Sequence, residues 1–170
     1  MVLLWVLSLV YFMLPAYVAN MAPVFSRFSP WNAPLDFNLK LGRKRLFGSH
    51  KTVVGTLFGL IAAVVISFIQ FKFFGLVHSD GWLLLGLLLG GGALFGDIVK
   101  SLIKRRLNMP PGKPWIPFDE IDFSIGALIA VSFVYFPGWL ESFVIIIISA
   151  LGHIAVNHSA FYLGIRKEKW

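Results

Sequence analysis

The sequence predicts an all-α, polytopic membrane protein with five transmembrane helices, its N-terminus outside and its C-terminus in the cytoplasm. Three observations lead there. Of 170 residues, 58% are hydrophobic and only 14% charged, against roughly 25% charged in an ordinary soluble domain. Mean hydropathy is +0.80, and a soluble core of this size could not hide so much Phe, Leu, Ile and Val. Finally, the charges are lopsided, 15 Lys and Arg against 8 Asp and Glu for a net +7. In a membrane protein this balance points to a sidedness rule or an anionic ligand before it points to nucleic acid. A soluble or disordered chain is excluded. With no cysteine there is no disulfide framework, thiolate metal site or cysteine nucleophile.

A bilayer span needs about 20 apolar residues, and the apolar runs lie at about 2–19, 52–71, 81–103, 122–136 and 139–165. The first run has no basic flank before it and is nearly long enough to span, so it reads as a retained helix rather than a signal peptide. Asn20 and Pro23 end it. The fourth run is short, but Phe136-Pro137-Gly138 is a strong turn signal that leaves the last two spans as a hairpin. The small-residue ridges Gly55-x-x-x-Gly59, Gly86-x-x-x-Gly90 and Gly92-x-x-x-Gly96 predict close packing of the second and third spans. Gly90-Gly91-Gly92 reads as packing or a local kink, not as a phosphate loop. His153 and Asn157, one turn apart, predict interhelical hydrogen bonding. No linker or repeat interrupts residues 1–170, which form one membrane-embedded domain with cytoplasmic loops at about 20–51 and 104–121.

Orientation follows from the basic residues. Arg27, Lys40, Arg43, Lys44, Arg45 and Lys51 lie in the first loop, Lys100, Lys104, Arg105, Arg106 and Lys113 around the third, and Arg166, Lys167 and Lys169 in the tail. Fourteen of 15 bases therefore share one side with six acids, a net of +8, while Lys72, Asp80 and Glu141 leave −1 opposite. The positive-inside rule puts the basic side in the cytoplasm.

Orientation explains most basic runs, but not the interleaving of acids and bases at helical spacing near the membrane edge. Asp97, Lys100, Ser101 and Lys104 stand at i, i+3, i+4 and i+7, on one face of the third helix. An intramembrane carboxylate is costly and marks a functional site by default; the bland alternative is a pair with Lys100 or Lys104 that only neutralises it. Asp119 and Asp122, opening the fourth span, could cap its N-terminus. They could equally converge with Asp97 on a hard cation, since Mg²⁺ takes one or two carboxylates plus substrate phosphates. Gly48-Ser49-His50-Lys51-Thr52 leads into the second span as a phosphate seat or simply as an N-cap. It is not a Walker A motif.

Together the runs Pro15 to Pro23, His50-Lys51-Thr52-x-x-Gly55, Gly96-Asp97-x-x-Lys100-Ser101-x-x-Lys104-Arg105 and Phe118-Asp119-x-x-Asp122-Phe123 resemble the CDP-archaeol synthase family, in order and over nearly the whole chain. Ser101-x-x-x-Arg105, Pro111-Gly112 and Asp119-x-x-Asp122 are more distantly similar to CDP-diacylglycerol synthases, whose Lys-Asp pair and Gly-His-Gly-Gly stretch are missing here. The resemblance implies a multi-pass enzyme of the cell membrane with its active site facing the cytoplasm. Its substrates would be CTP and an unsaturated archaeal ether-lipid phosphate, its products the CDP-activated lipid and pyrophosphate, and its cofactor Mg²⁺. On this reading Asp97, Asp119 and Asp122 are metal ligands. Lys51, Lys100, Lys104 and Arg105 bind phosphates of CTP or lipid, with Ser101 and Thr52 as lesser hydrogen-bonders. Arg43, Lys44 and Arg45 steer nucleotide or hold anionic head groups. Lys104 or Arg105 would meet the lipid phosphate. Two alternatives are a CDP-alcohol phosphatidyltransferase, whose longer Asp run is missing, and a small transporter or assembly subunit.

Overall fold

The computed structural model describes residues 1–24, 29–31, 33–42, 44–48, 51–74, 81–110 and 113–164, with Phe74 by its backbone only. Arg43, Ser49, His50, Pro111, Gly112 and the basic tail, for which roles were expected, lie outside the described residues. The order is α1 (Val2–Met21), a two-stranded hairpin of β1 (Lys40–Leu41) and β2 (Lys44–Arg45), then α2 (Val53–Phe74), α3 (Trp82–Arg106), α4 (Phe118–Ser132) and α5 (Trp139–Tyr162). Four of the helices, α1, α2, α3 and α5, are long and apolar enough to cross a membrane. At 15 residues, α4 is about 22 Å long, short of the roughly 30 Å hydrocarbon core.

The helices match the apolar runs, but the ends of α3 and α4 differ from expectation. The third helix continues three residues beyond Ile103 because Lys104, Arg105 and Arg106 occupy its last turn, where cations suit the negative end of the dipole. Its end is a Schellman motif: Asn108 (φ +61°) donates to Arg105 O at 3.4 Å and Met109 N to Lys104 O at 3.0 Å. The fourth helix starts four residues early, taking Asp119 and Glu120 into its first turn, where the dipole favours anions. Asp119 is thus inside the helix rather than its N-cap, which is Pro117.

Without a hydrophobic drive between helices in lipid, small residues set the crossings. Gly86 and Gly90 bring α3 against Ala63 and Val64 of α2, as the ridge predicts. Gly92 and Gly96 instead meet α4: a Cβ on Gly96 would lie 2.3 Å from Asp122 O, and one on Gly126 would lie 2.2 Å from Gly92 O. That contact sets the backbones of α3 and α4 side by side where the acids lie. Gly90-Gly91-Gly92 sits within continuous helix. Met13, Leu89, Ala93, Phe123, Ala127, Val131 and Ile145 form the buried core among α1, α3, α4 and α5. Polar cross-links add to it: Ser67 Oγ donates to Trp82 O (2.6 Å), Gln70 Nε2 to Tyr11 O (2.6 Å), and Tyr17 and Ser149 hydroxyls pair at 2.9 Å. His153 packs its ring on Phe123, and Asn157 Nδ2 lies 3.5 Å from His153 Nδ1.

Candidate active site

The α3–α4 crossing and the return from α3 to α4 bring Asp97, Asp119 and Asp122 around one ammonium. Lys100 Nζ lies 3.2 Å from Asp97 Oδ1, 3.1 Å from Asp119 Oδ1 and 2.7 Å from Asp122 Oδ2. Two flanking lysines complete the cluster. Lys51, at the entry to α2, pairs with Asp97. Lys104 donates to both oxygens of Asp119 (3.1 and 2.9 Å) and to Lys113 O (2.6 Å). Three carboxylates therefore face three ammonium groups. Among the described residues no three carboxylates converge directly as a cage for a metal ion; what these three share is Lys100.

Other expected residues have structural partners. Ser101 is buried and donates its hydroxyl to Asp97 O at 2.8 Å, back along its own helix. Thr52 Oγ1 accepts from Gly55 N at 3.0 Å, in the manner of an N-cap for α2. Asp119 also accepts Trp115 N at 2.6 Å, which fixes the turn before α4. The Nε of Arg105, like that of Arg106, is buried without a hydrogen-bond partner among the described residues. It lies beneath loop 1, where a Cβ on Gly48 would come to 4.0 Å from that nitrogen.

Loop 1 is organised by Asp36, one of the six acids on the basic side of the chain. It is 2% exposed and accepts from Asn38 N (3.0 Å), Arg45 Nη2 (2.6 Å) and Nε (3.3 Å), Phe47 N and Gly48 N (3.3 Å each). The Arg45 hydrogen bond holds its carboxyl below the usual carboxylate range. Leu35 N donates to Lys51 O (2.7 Å) and Val53 N to Ala33 O (3.0 Å), so the chain before the hairpin pins the chain after it. Arg106 then ties the hairpin to α3 by donating to Leu41 O (2.7 Å) and Arg45 O (3.1 Å), and Lys44 bonds Asn108. A buried loop acid with several amide donors leaves no periodic mark in a sequence; its only signal is an Asp followed by Asn38 two residues on and Arg45 nine residues on.

The cluster opens on an apolar groove of about 660 Å³ between α3 and α4. Lys100, Asp122, Trp115 and Phe118 stand at its polar end, and Phe95, Ile129 and Phe133 line it deeper. Trp115 and Phe118 pack ring to ring at 4.4 Å. From Lys100 to Leu87 the groove follows α3 for about 20 Å. Phe95, Ile129 and Phe133 are 64%, 60% and 84% exposed, so the groove is open along its side. Glu120 lies elsewhere, buried on the α4 face shared with Phe123 and Ala127.

A profile of the family described as CarS-like, CDP-archaeol synthase, matches residues 1–170. A CDP-archaeol synthase of Pyrobaculum arsenaticum is 36% identical, covering 92% of this chain and 93% of that protein. Those of Thermofilum pendens and Methanopyrus kandleri are also 36% identical, covering 99% and 94% of this chain and 79% and 91% of the relatives. A solved structure described as an intramembrane enzyme for archaeal membrane lipid biosynthesis aligns with a TM-score of 0.78 at 29% identity, covering 89% of this chain and 94% of that one.

Proposed function

The chain belongs to the CDP-archaeol synthase family and is a membrane cytidylyltransferase, and from that premise we propose how its residues work. CTP and an unsaturated ether-lipid phosphate, 2,3-bis-O-geranylgeranyl-glycerol 1-phosphate, give the CDP-lipid and pyrophosphate at the cytoplasmic leaflet. The observation that carries this reading is a charged cluster at the end of a lipid-wide groove open along its side.

A phosphate monoester has a second pKa near 6 and is largely dianionic at neutral pH, so it needs no general base. Its oxygen forms a bond to the α-phosphorus of CTP while the bond from that phosphorus to the bridging oxygen breaks, and pyrophosphate carries the electron pair away. Two polyanions must meet, so the protein's task is positioning and charge neutralisation. The lipid chains stay in the groove, since each methylene withdrawn into water costs about 0.8 kcal/mol. Among the described residues Lys100 is the basic one lining the groove, which makes it the nearest cation there for the lipid phosphate. Lys104 is committed to Asp119 and Lys113 O. Arg105 lies under loop 1, off the groove, and is assigned to the nucleotide side with Lys51. This revises the expectation that Lys104 or Arg105 meets the lipid.

The donor set suits Mg²⁺: Asp97, Asp119 and Asp122 offer hard oxygens, and their common point already holds a cationic group. Ammonium contacts of 2.7–3.2 Å exceed the about 2.0–2.1 Å of Mg–oxygen bonds, so the three would draw inward or act through retained water. When bound there the ion would neutralise phosphate charge as the nucleotide reacts. The division of roles is tested by Arg105→Ala, which should raise the apparent KM for CTP about tenfold or more with the lipid KM nearly unchanged. A rise confined to the lipid KM would return Arg105 to the lipid phosphate.

A further inference from the structure

We infer that Lys100 holds the cation position of the carboxylate cluster in the resting enzyme and is exchanged for the metal ion when nucleotide arrives, its ammonium moving to the phosphate in the groove. The inference rests on the reading of Asp97, Asp119 and Asp122 as metal ligands.

Two observations carry it. The first is geometric: one nitrogen lies within 3.2 Å of an oxygen of each acid, and the acids do not otherwise meet as a cage. An ammonium and a divalent ion cannot share that point, because like charges at contact repel strongly where water is scarce. The second is charge balance. Asp97, Asp119 and Asp122 are matched by Lys51, Lys100 and Lys104, so the resting cluster is neutral. With Lys100 moved aside, a lone divalent ion would leave the cluster at +1, whereas a metal–triphosphate brings its own anion. The resting site therefore discourages a bare metal ion and accepts one that comes with phosphate. Lys100 also has somewhere to go. It lines the polar end of the groove, its stem is flexible, and a lipid phosphate there would receive the displaced ammonium. In this way metal loading and engagement of the acceptor phosphate become one linked event.

The test is metal binding, read without turnover. Mn²⁺ is titrated into purified full-length protein in detergent, without nucleotide or lipid, and free Mn²⁺ is followed by electron paramagnetic resonance. Wild type should bind weakly. Lys100→Met should bind at least tenfold more tightly, and Lys100→Gln, which keeps a polar side chain in case the Met variant does not fold, should do the same. Lys100→Arg should stay near wild type. Adding Asp97→Asn to either neutral variant should remove the gain. If the neutral variants bind no more tightly than wild type at a site that Asp97→Asn abolishes, the exchange is wrong while the carboxylate site stands. If Asp97→Asn and Asp122→Asn change Mn²⁺ binding in no background, the metal reading itself fails and the inference falls with it.

Discussion

Gly96→Ala tests whether the close approach of α3 and α4 builds the site. The added Cβ would lie 2.3 Å from Asp122 O and 3.0 Å from Asp122 C, where ordinary contact begins at 3.4 Å. Both atoms are backbone and cannot rotate away, so α4 must move out by about 1 Å at the residue carrying a site carboxylate. The 2.7 Å contact between Lys100 and Asp122 opens by a similar amount. Misplacement of about 1 Å can cost 10²-fold in rate, and overpacking costs about 1–3 kcal/mol of stability. Gly96→Ala should therefore be folded but turn over about 100-fold more slowly. Gly152→Ala is the control, because a Cβ there meets nothing within 4 Å; it should keep wild-type activity. The assay is CDP-lipid formation from labelled CTP, on protein that elutes as a single species with native helicity. A folded Gly96→Ala enzyme with more than a third of wild-type activity would refute the claim that this crossing sets the carboxylates.

Asp97→Asn, Asp119→Asn and Asp122→Asn should each nearly abolish the same activity while leaving extractable, helical protein, since Asn keeps the size and removes the anion. An active Asp122→Asn enzyme would reduce Asp122 to a helix-terminal charge. For topology, the chain has no cysteine of its own, so single cysteines report cleanly. Leu39→Cys in loop 1 and Leu107→Cys after α3 should resist a membrane-impermeant maleimide in intact cells. Val134→Cys, beyond the other end of α4, should label. Labelling of both Leu39→Cys and Leu107→Cys would overturn the N-out, five-span arrangement that the sequence predicts.

Four of the helices, α1, α2, α3 and α5, were legible because an apolar run of bilayer length has few other fates; the shorter α4 was marked by the Phe136-Pro137-Gly138 turn that follows it. Their ends were less so. Asp119 and Glu120 interrupt the apolar pattern, yet the dipole welcomes acids at a helix start, so α4 begins before its hydrophobic run does. The Gly92-x-x-x-Gly96 ridge announced a close crossing but pointed to the second span as its partner, whereas it meets α4, because a small-residue pair is complementary to any helix with its own gap, here Gly126 of α4. Spacing along α3 put Asp97 and Lys100 on one face. That Lys100 also reaches Asp119 and Asp122 depends on the α3–α4 turn, a tertiary fact with no local signature. Asp36 escaped notice because its partners are mostly backbone amides of an irregular loop, which side-chain patterns do not record.

On the proposed mechanism a lipid phosphate drawn from the bilayer attacks the α-phosphorus of CTP at this cluster. Its most direct test is purified protein with CTP labelled at the α-phosphorus, Mg²⁺ and the unsaturated ether-lipid phosphate. Label should pass into the lipid fraction with one pyrophosphate released per CDP-lipid, and neither should appear without the lipid phosphate. Label released as CMP, or no transfer to this or any lipid phosphate by folded protein, would contradict it.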